Sequence, residues 1–396
     1  MPAQIAVENI RNTRGEPVTL LIEDGQVAGL APAGTLGIPE VAERIDGGGK
    51  MILPGLVDGH IHLDKTLIGL PFIPHIPGET VAKRIAAERE LRRTVALPVA
   101  SRGGALIEKV AALGTVAVRS HVDIDTEIGL KGLEQVLSLR QSHGHLIDIE
   151  IVAFPQSGIV RDPGTVDLLH EAVANGADLV GGLDPAGIDD DINGHLDAVF
   201  AVAEKHNVGV DLHLHDGGVL GAFELRQIAD RTVAASLQGR VAVSHAFCLG
   251  ELDDADFGRT AELLARARIS IMTNGPGPVP MPPVKRLQAA GVRVFCGSDN
   301  IRDAWSPFGN GDLIERAGII CDRQDFRADD DLERAFALVT EASGAVLGRA
   351  EPLSIGTPAD FILVDCGSIA ETLAARPVDR TVFKAGRKVA EAGRLV

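Results

Sequence analysis

From residue 50 to about 300 the chain repeats one rhythm, a short apolar β-branched run followed by a longer stretch with apolar positions at helical spacing. The runs are "MILPGLVDGHIH", "TVAVRSHVD", "IDIEIVAFPQ", "DLVGGLD", "VGVDLHLHD", "VAVSHAF", "ISIMTN" and "VRVFCGSDN". Stretches between them, such as "DLLHEAVANGA" and "HLDAVFAVAEKHN", close on Gly or Asn as helices do. Strand alternating with helix predicts a parallel sheet, and eight repeats over about 250 residues predict an α/β fold, the (β/α)8 TIM barrel. A doubly wound open sheet is the alternative, but no glycine-rich GxGxxG turn follows a strand. The two chain ends have another pattern, "IAVENIRNTRGEPVTLLIEDGQVAGLAP" and "GTPADFILVDCGS", with short alternating strands and Gly-containing turns. Residues 1–54 and 348–396 are therefore expected to combine in a small β-sandwich domain, and 55–347 to form the barrel.

Polar chemistry gathers at the C-terminal ends of these runs. His60 and His62, His121 and Asp123, Gln156, Asp184, His213 and His215, His245, Asn274, Asp299 and Asn300 all lie there. In a barrel those ends surround one mouth, where active sites are built. Side chains two apart on a strand share a face, so His60 and His62 converge, as do His213 and His215. His60, His62, His213 and Asp299 are the expected ligands of a metal, with His245 close by. Imidazoles with one carboxylate suit Zn²⁺ or Fe²⁺, and water at such a metal ionises near neutral pH. Lys65 is expected either to pair with Asp64 or another carboxylate, or to grip substrate. His121 is either a hydrogen-bond partner of the ligands or a substrate contact, and Asp184 is open between the same two roles. The other histidines, His195 among them, are expected on the surface or in loops. "DPAGIDDDING" lacks the closing glutamate of an EF-hand and reads as a solvated loop. The long segment "LDKTLIGLPFIPHIPGETVAKRIAAERELRRTV" is expected to cover the mouth.

Composition narrows the function classes. A net charge of −17 argues against nucleic acid or an anionic membrane as partner. No run of 18 apolar residues exists, and the first residues lack a basic-then-apolar signal, so a cytoplasmic location is expected. The four cysteines show no CxxC spacing, which indicates neither a disulfide framework nor a Cys-type zinc site. No GxSxG elbow is present for a serine hydrolase, and with no tyrosine in the chain no tyrosine acid can act.

"PGLVDGHIHLDKT", "RSHVD", "IVAFPQSGI", "VDLHLHD", "VSHAF" and "GSDNIRDAWSPFGNGD", in this order over nearly the whole chain, resemble the amidohydrolase superfamily and within it the cytosine deaminase branch. The lysine of "HLDK" and the double histidine of "DLHLHD" make the chain more similar still to the N-isopropylammelide isopropylaminohydrolases of s-triazine breakdown. The resemblance implies that His60, His62, His213 and Asp299 hold one divalent ion, and that His245 touches it or its water and acts as base. It implies that Gln156 reads the amide edge of a ring and that Trp305 covers the substrate. Three departures stand out: Asp216 replaces the branch's glutamate that protonates the ring, Asn300 replaces a second aspartate, and Asp184 in "GGLDPAG" stands where the branch has a different sequence. His215 and Lys65 are expected, as a pair, to take over part of that proton supply or the contact with the leaving group. The expected activity is hydrolytic release of ammonia or an amine from an aminopyrimidine or s-triazine, by a homo-oligomer. The alternatives are a cyclic amide hydrolase or a non-catalytic binding protein on the same barrel.

Overall fold

In the computed structural model, which describes residues 4–76 and 78–396, the alternating runs form a single parallel sheet. The terminal strands are β1 Gln4–Arg11, β2 Pro17–Glu23, β3 Gln26–Pro32, β4 Glu43–Asp46 and β5 Met51–Pro54. The barrel strands are β6 Leu56–Ile61, β7 Thr115–Asp123, β8 Asp148–Phe154, β9 Leu179–Leu183, β10 Gly209–Leu214, β11 Val241–His245, β12 Ser270–Thr273 and β13 Val294–Cys296. The chain then returns to the terminal sheet with β14 Phe361–Val364, β15 Arg380–Lys384, β16 Arg387–Glu391 and β17 Arg394–Leu395.

Strands β6 to β13 pair in sequence order, each parallel to the next. The barrel closes where the Asp299 N–H donates to the His60 carbonyl at 2.7 Å, just past the end of β13. Closure leaves room for no side chain at Gly297, because a Cβ there would lie 2.5 Å from both the backbone nitrogen and the carbonyl oxygen of His60. The expected helices are present. Helix Thr165–Ala174 ends at Asn175, and helix Ile192–His206 ends on Asn207 in the left-handed conformation, φ 53°. All four cysteines are buried and unpaired.

"MILPGLVDGHIH" proves to be two strands parted at Gly55. β5 pairs antiparallel with β14 in the terminal sheet, and β6 opens the barrel. Strands from both ends form one nine-stranded sheet in the order β17-β16-β15-β14-β5-β1-β2-β3, with β4 beside β1. That sheet folds over its own core, since Leu20, Ile22 and Val27 from one end share a cluster with Phe361 and Phe383 from the other. Gln26 even bridges to Pro358.

A buried ion pair ties this sheet to the barrel. Arg380, 0% exposed, donates to Asp312 at 2.9 and 2.7 Å and to the Leu113 carbonyl at 2.7 Å, while Asp312 also caps helix Leu313–Gln324. Removing one partner of such a pair strands the other charge. Arg380→Ala is expected to cost about 3–5 kcal/mol in denaturant unfolding. An unchanged midpoint would show that the pair contributes nothing to stability.

The histidine and acidic-loop expectations need two corrections. His195 is fully buried, its Nδ1 2.7 Å from Asp189. Asp189, from the "DPAGIDDDING" stretch, is likewise buried and accepts from the backbone N–H groups of Ile159, Val160 and Arg161. One carboxylate of that loop therefore organises the β8 connection, while Asp191 caps helix Ile192–His206.

Candidate active site

Alternation along the strands builds the barrel interior in tiers. In β7 the inward positions are Arg119, His121 and Asp123; in β10 and just beyond it they are Asp211, His213 and His215. The lowest tier is an ion pair, Arg119 to Asp211 at 2.9 Å, extended by Arg119 to Glu150 at 2.6 Å. Ser244 links it upward, donating to Asp211 at 3.0 Å and meeting His60 Nδ1 at 2.9 Å. With Nδ1 engaged there, His60 turns Nε2 toward the barrel axis, where it has no hydrogen-bond partner.

The middle tier is a group of imidazoles. One nitrogen each of His60, His62 and His213 and one oxygen of Asp299 all lie within 4.8 Å of one another. His62 Nε2 is 3.3 Å and His60 Nε2 3.6 Å from Asp299 Oδ1, and the other Asp299 oxygen accepts from Asn274 at 2.8 Å. Both nitrogens of His213 are buried without a partner. Burial depresses two of these imidazoles, His62 to about 3 and His213 well below its usual range, so these two are neutral with lone pairs free. Buried unpartnered nitrogens around one carboxylate fit a divalent cation, and the donor set of three nitrogens and one oxygen suits Zn²⁺ or Fe²⁺. His121 packs against this group, stacked on His60 at 4.0 Å with Nε2 3.8 Å from Asp211, and its own nitrogens lack hydrogen-bond partners.

His245 arrives by a different route. Ser244 faces inward, so simple alternation would send His245 outward. A left-handed φ of 73° at His245 turns the strand end, and its ring stacks on His215 at 4.4 Å and lies 5.2 Å from His213. Asp299 and Asp184 also hold positive φ, 59° and 36°. Such conformations cost non-glycine residues of order 1 kcal/mol or more and cluster where side chains are aimed for function.

The upper tier has two separate clusters. In the first, Asp184 accepts from the His215 backbone N–H at 2.5 Å and faces His215 Nδ1 at 2.9 Å. Burial depresses His215, but the charge and hydrogen bond of Asp184, with the charges of Asp299 and Asp216, together outweigh it and raise the pKa. In the second, Lys65 lies 3.1 Å from Asp123 and 3.6 Å from Glu88, and it also donates to Gln156. Lys65 pairs with those carboxylates rather than Asp64, which instead accepts from the Asp123 N–H at 2.9 Å. Among the described residues, no hydrogen bond joins Lys65 to His215; the strand ends that carry them hold different partners.

Asp216 and Asn300 make their hydrogen bonds outside the imidazole group. Asp216 accepts from the Gly187 N–H at 2.9 Å beside Glu224, whose carboxyl is pushed up to about 8 by burial and by the neighbouring Asp216 and Asp184 charges. Asn300 donates to Asp303 at 2.7 Å within the loop that carries Trp305. Trp305 packs beside Ile85, Phe154, Leu183 and Ile188, and its Nε1 donates to Glu88.

Glu88 and Arg92 carry no signal in any motif. They lie on helix Val81–Thr94, inside the segment expected to cover the mouth, and Arg92 binds Asp123 at 3.1 Å and Asp125 at 2.9 Å. Only the i, i+3 spacing of Ile85 and Glu88 hinted at a shared inward face.

Known proteins resemble this chain in sequence and fold. N-isopropylammelide isopropyl amidohydrolase of Pseudomonas sp. (strain ADP) is 32% identical over 331 residues, 82% of each chain. The structure of N-isopropylammelide isopropylaminohydrolase from Burkholderia multivorans superposes with a TM-score of 0.96 at 41% identity, covering 100% of both chains. That of 5-methylcytosine deaminase from Klebsiella pneumoniae gives 0.85 at 25% identity, over 98% of this chain and 97% of that one. The model of the Amidohydrolase family matches residues 105–395, from within helix Val99–Ala112 through every later strand of the barrel to the last strand of the chain. Fold, histidine tiers and sequence thus agree that this chain belongs to the amidohydrolase family.

Proposed function

We propose that the protein is a metal-dependent aminohydrolase that releases ammonia or an amine from a small N-heterocycle, of aminopyrimidine or s-triazine type. The observation that carries this reading is the buried set of His60, His62, His213 and Asp299, three imidazoles around one carboxylate, with Lys65, Gln156 and Trp305 grouped at the same barrel mouth. The likeness to enzymes named for N-isopropylammelide and 5-methylcytosine supports the substrate class. It also makes hydrolysis of a carbon–nitrogen bond outside peptides the reaction.

His60, His62, His213 and Asp299 would hold one divalent ion, Zn²⁺ or Fe²⁺. Such an ion acidifies water and so supplies a hydrolytic nucleophile near neutral pH. His245, bent into the site and stacked on His215, is placed to take a proton from that water. His215, its Nδ1 held by Asp184, presents its other ring nitrogen and is placed to give a proton to the ring or to the departing amine. Trp305 walls the ring-binding space, and Lys65 with Gln156 forms its polar side. His121 orients His60 by stacking. Asp216 and Asn300 would shape the surrounding loops through Gly187 and Asp303.

A cyclic amide hydrolase would suit a two-metal centre bridged by a lysine at the end of β9. That strand ends in Gly182, Leu183 and Asp184, and Lys65 is committed to carboxylates. The test is a screen of aminopyrimidines, s-triazines, pterins and cyclic imides with bound metal quantified. Amine release with the ring intact, abolished by a chelator and restored by Zn²⁺ or Fe²⁺, is the expected result. Ring opening, or full activity in metal-free protein, would overturn the reading.

A further inference from the structure

Helix Val81–Thr94 brings one carboxylate into the mouth. Val81, Ile85, Glu88 and Arg92 recur at helical spacing on one face; Ile85 packs with Phe154, Leu183 and Ile188, and Arg92 grips Asp123 and Asp125. Between them Glu88 is 3% exposed. Its Oε2 collects donors from two other loops, Gln156 Nε2 and Trp305 Nε1, with Lys65 Nζ 3.6 Å away. Among the described residues its Oε1 is buried and accepts from no N–H, while the Asp123 carboxyl lies within hydrogen-bonding reach of the Glu88 carboxylate. A buried carboxylate oxygen without an N–H donor is costly, so this position calls for an N–H.

The same contacts show what Gln156 does. Lys65 donates to its amide oxygen and Glu88 accepts from its amide nitrogen. Because Lys65 Nζ and Glu88 Oε2 are only 3.6 Å apart, they sit side by side along one edge of the amide. The edge expected to read a substrate is thus filled by this chain's own ion pair. Gln156 holds Lys65 and Glu88 in register, leaving a charged donor and a charged acceptor next to each other where a ring would enter.

We propose that Glu88 is a specificity-determining residue: its Oε1 accepts a ring N–H of the substrate while Lys65 donates to the adjoining ring oxygen. The site then selects heterocycles that carry an N–H/C=O edge over the same rings methylated at that nitrogen. This inference rests on the aminohydrolase reading. Charge-assisted hydrogen bonds of this kind are the strong ones, and a site built for them penalises an analogue that leaves them unmade.

The test uses the metal-loaded full chain, with N-isopropylammelide and its ring-N-methyl derivative as probes. Wild-type protein should favour the unmethylated ring by on the order of a hundredfold or more in kcat/KM. Glu88→Gln should bring that preference within about tenfold, chiefly by raising KM for the unmethylated ring, and Glu88→Asp should keep part of it. Trp305 is the sole tryptophan in a chain without tyrosine, so its emission reports directly on the contact with Glu88. If Glu88→Gln shifts that emission as an undocked helix would, Glu88→Asp, which keeps the carboxylate, decides: preference retained supports the assignment and preference lost overturns it. Undiminished preference in Glu88→Gln, with wild-type turnover intact, overturns this inference alone. Failure of wild-type protein to release amine from N-isopropylammelide, cytosine, 5-methylcytosine or a pterin overturns the aminohydrolase reading and this inference with it.

Discussion

Asp299→Ala and His213→Ala proteins should lose their bound metal and fall in kcat/KM by on the order of a thousandfold or more, several kcal/mol of transition-state stabilisation. The reason is geometric. His60 and His62 Nε2 both face Asp299 Oδ1, at 3.6 and 3.3 Å, so this oxygen completes the proposed cation position. Removing it takes the carboxylate away from His60 and His62, and leaves the Asn274 amide without the acceptor it meets at 2.8 Å. Removing His213 deletes a ring whose nitrogens are buried and unpartnered, and whose only evident use is to bind something outside the protein chain. His143→Ala is the control, because that ring meets Ser142 at the end of helix Lys131–Ser142, far from the mouth in sequence and partner. Metal content by elemental analysis and amine release should fall together in the two site variants and stay level in the control. Activity that survives complete loss of metal would end the proposal.

The second large effect separates two neighbours in sequence. His215→Ala should reduce kcat by roughly a hundredfold to ten-thousandfold, the usual share of a positioned general acid or base. Asp216→Asn should cost less than about tenfold. By sequence alone Asp216 occupies the place of a ring-protonating glutamate, one methylene longer. In the fold its carboxylate accepts from Gly187 and faces Glu224, whereas His215 is gripped twice by Asp184 and stacked on His245. Asp184→Asn should reproduce much of the His215→Ala loss, since an amide no longer fixes the charge and tautomer of the imidazole. Metal content should be unchanged in all three, which distinguishes proton transfer from ligand loss. A severe loss in Asp216→Asn beside near-normal His215→Ala would assign the proton to the short carboxylate instead.

The sequence by itself determined the barrel, because the alternation of strand and helix is a local property repeated along the chain and the topology follows from it. It determined the histidine tier for the same reason. His60 and His62, like His213 and His215, stand two apart on a strand, and a period of two needs no tertiary information to put them on one face. Asp211, two residues before His213, turns inward by the same alternation, although no motif singled it out. What only the tertiary structure decided has a different physical origin. His245 points inward through a left-handed backbone turn, against the alternation of β11, and no periodicity predicts a single φ. Partners of long charged side chains are chosen by what lies across the mouth: Lys65 ignores its neighbour Asp64 for Asp123 and Glu88, 58 and 23 residues further along. Glu88 itself was invisible, since one buried carboxylate on a mostly polar helix looks like any solvated glutamate until that helix is laid over the strand ends. Likewise the burial of Asp189 and His195 follows from the loop wrapping its own carboxylate in backbone N–H groups, a fold of the backbone that composition does not encode.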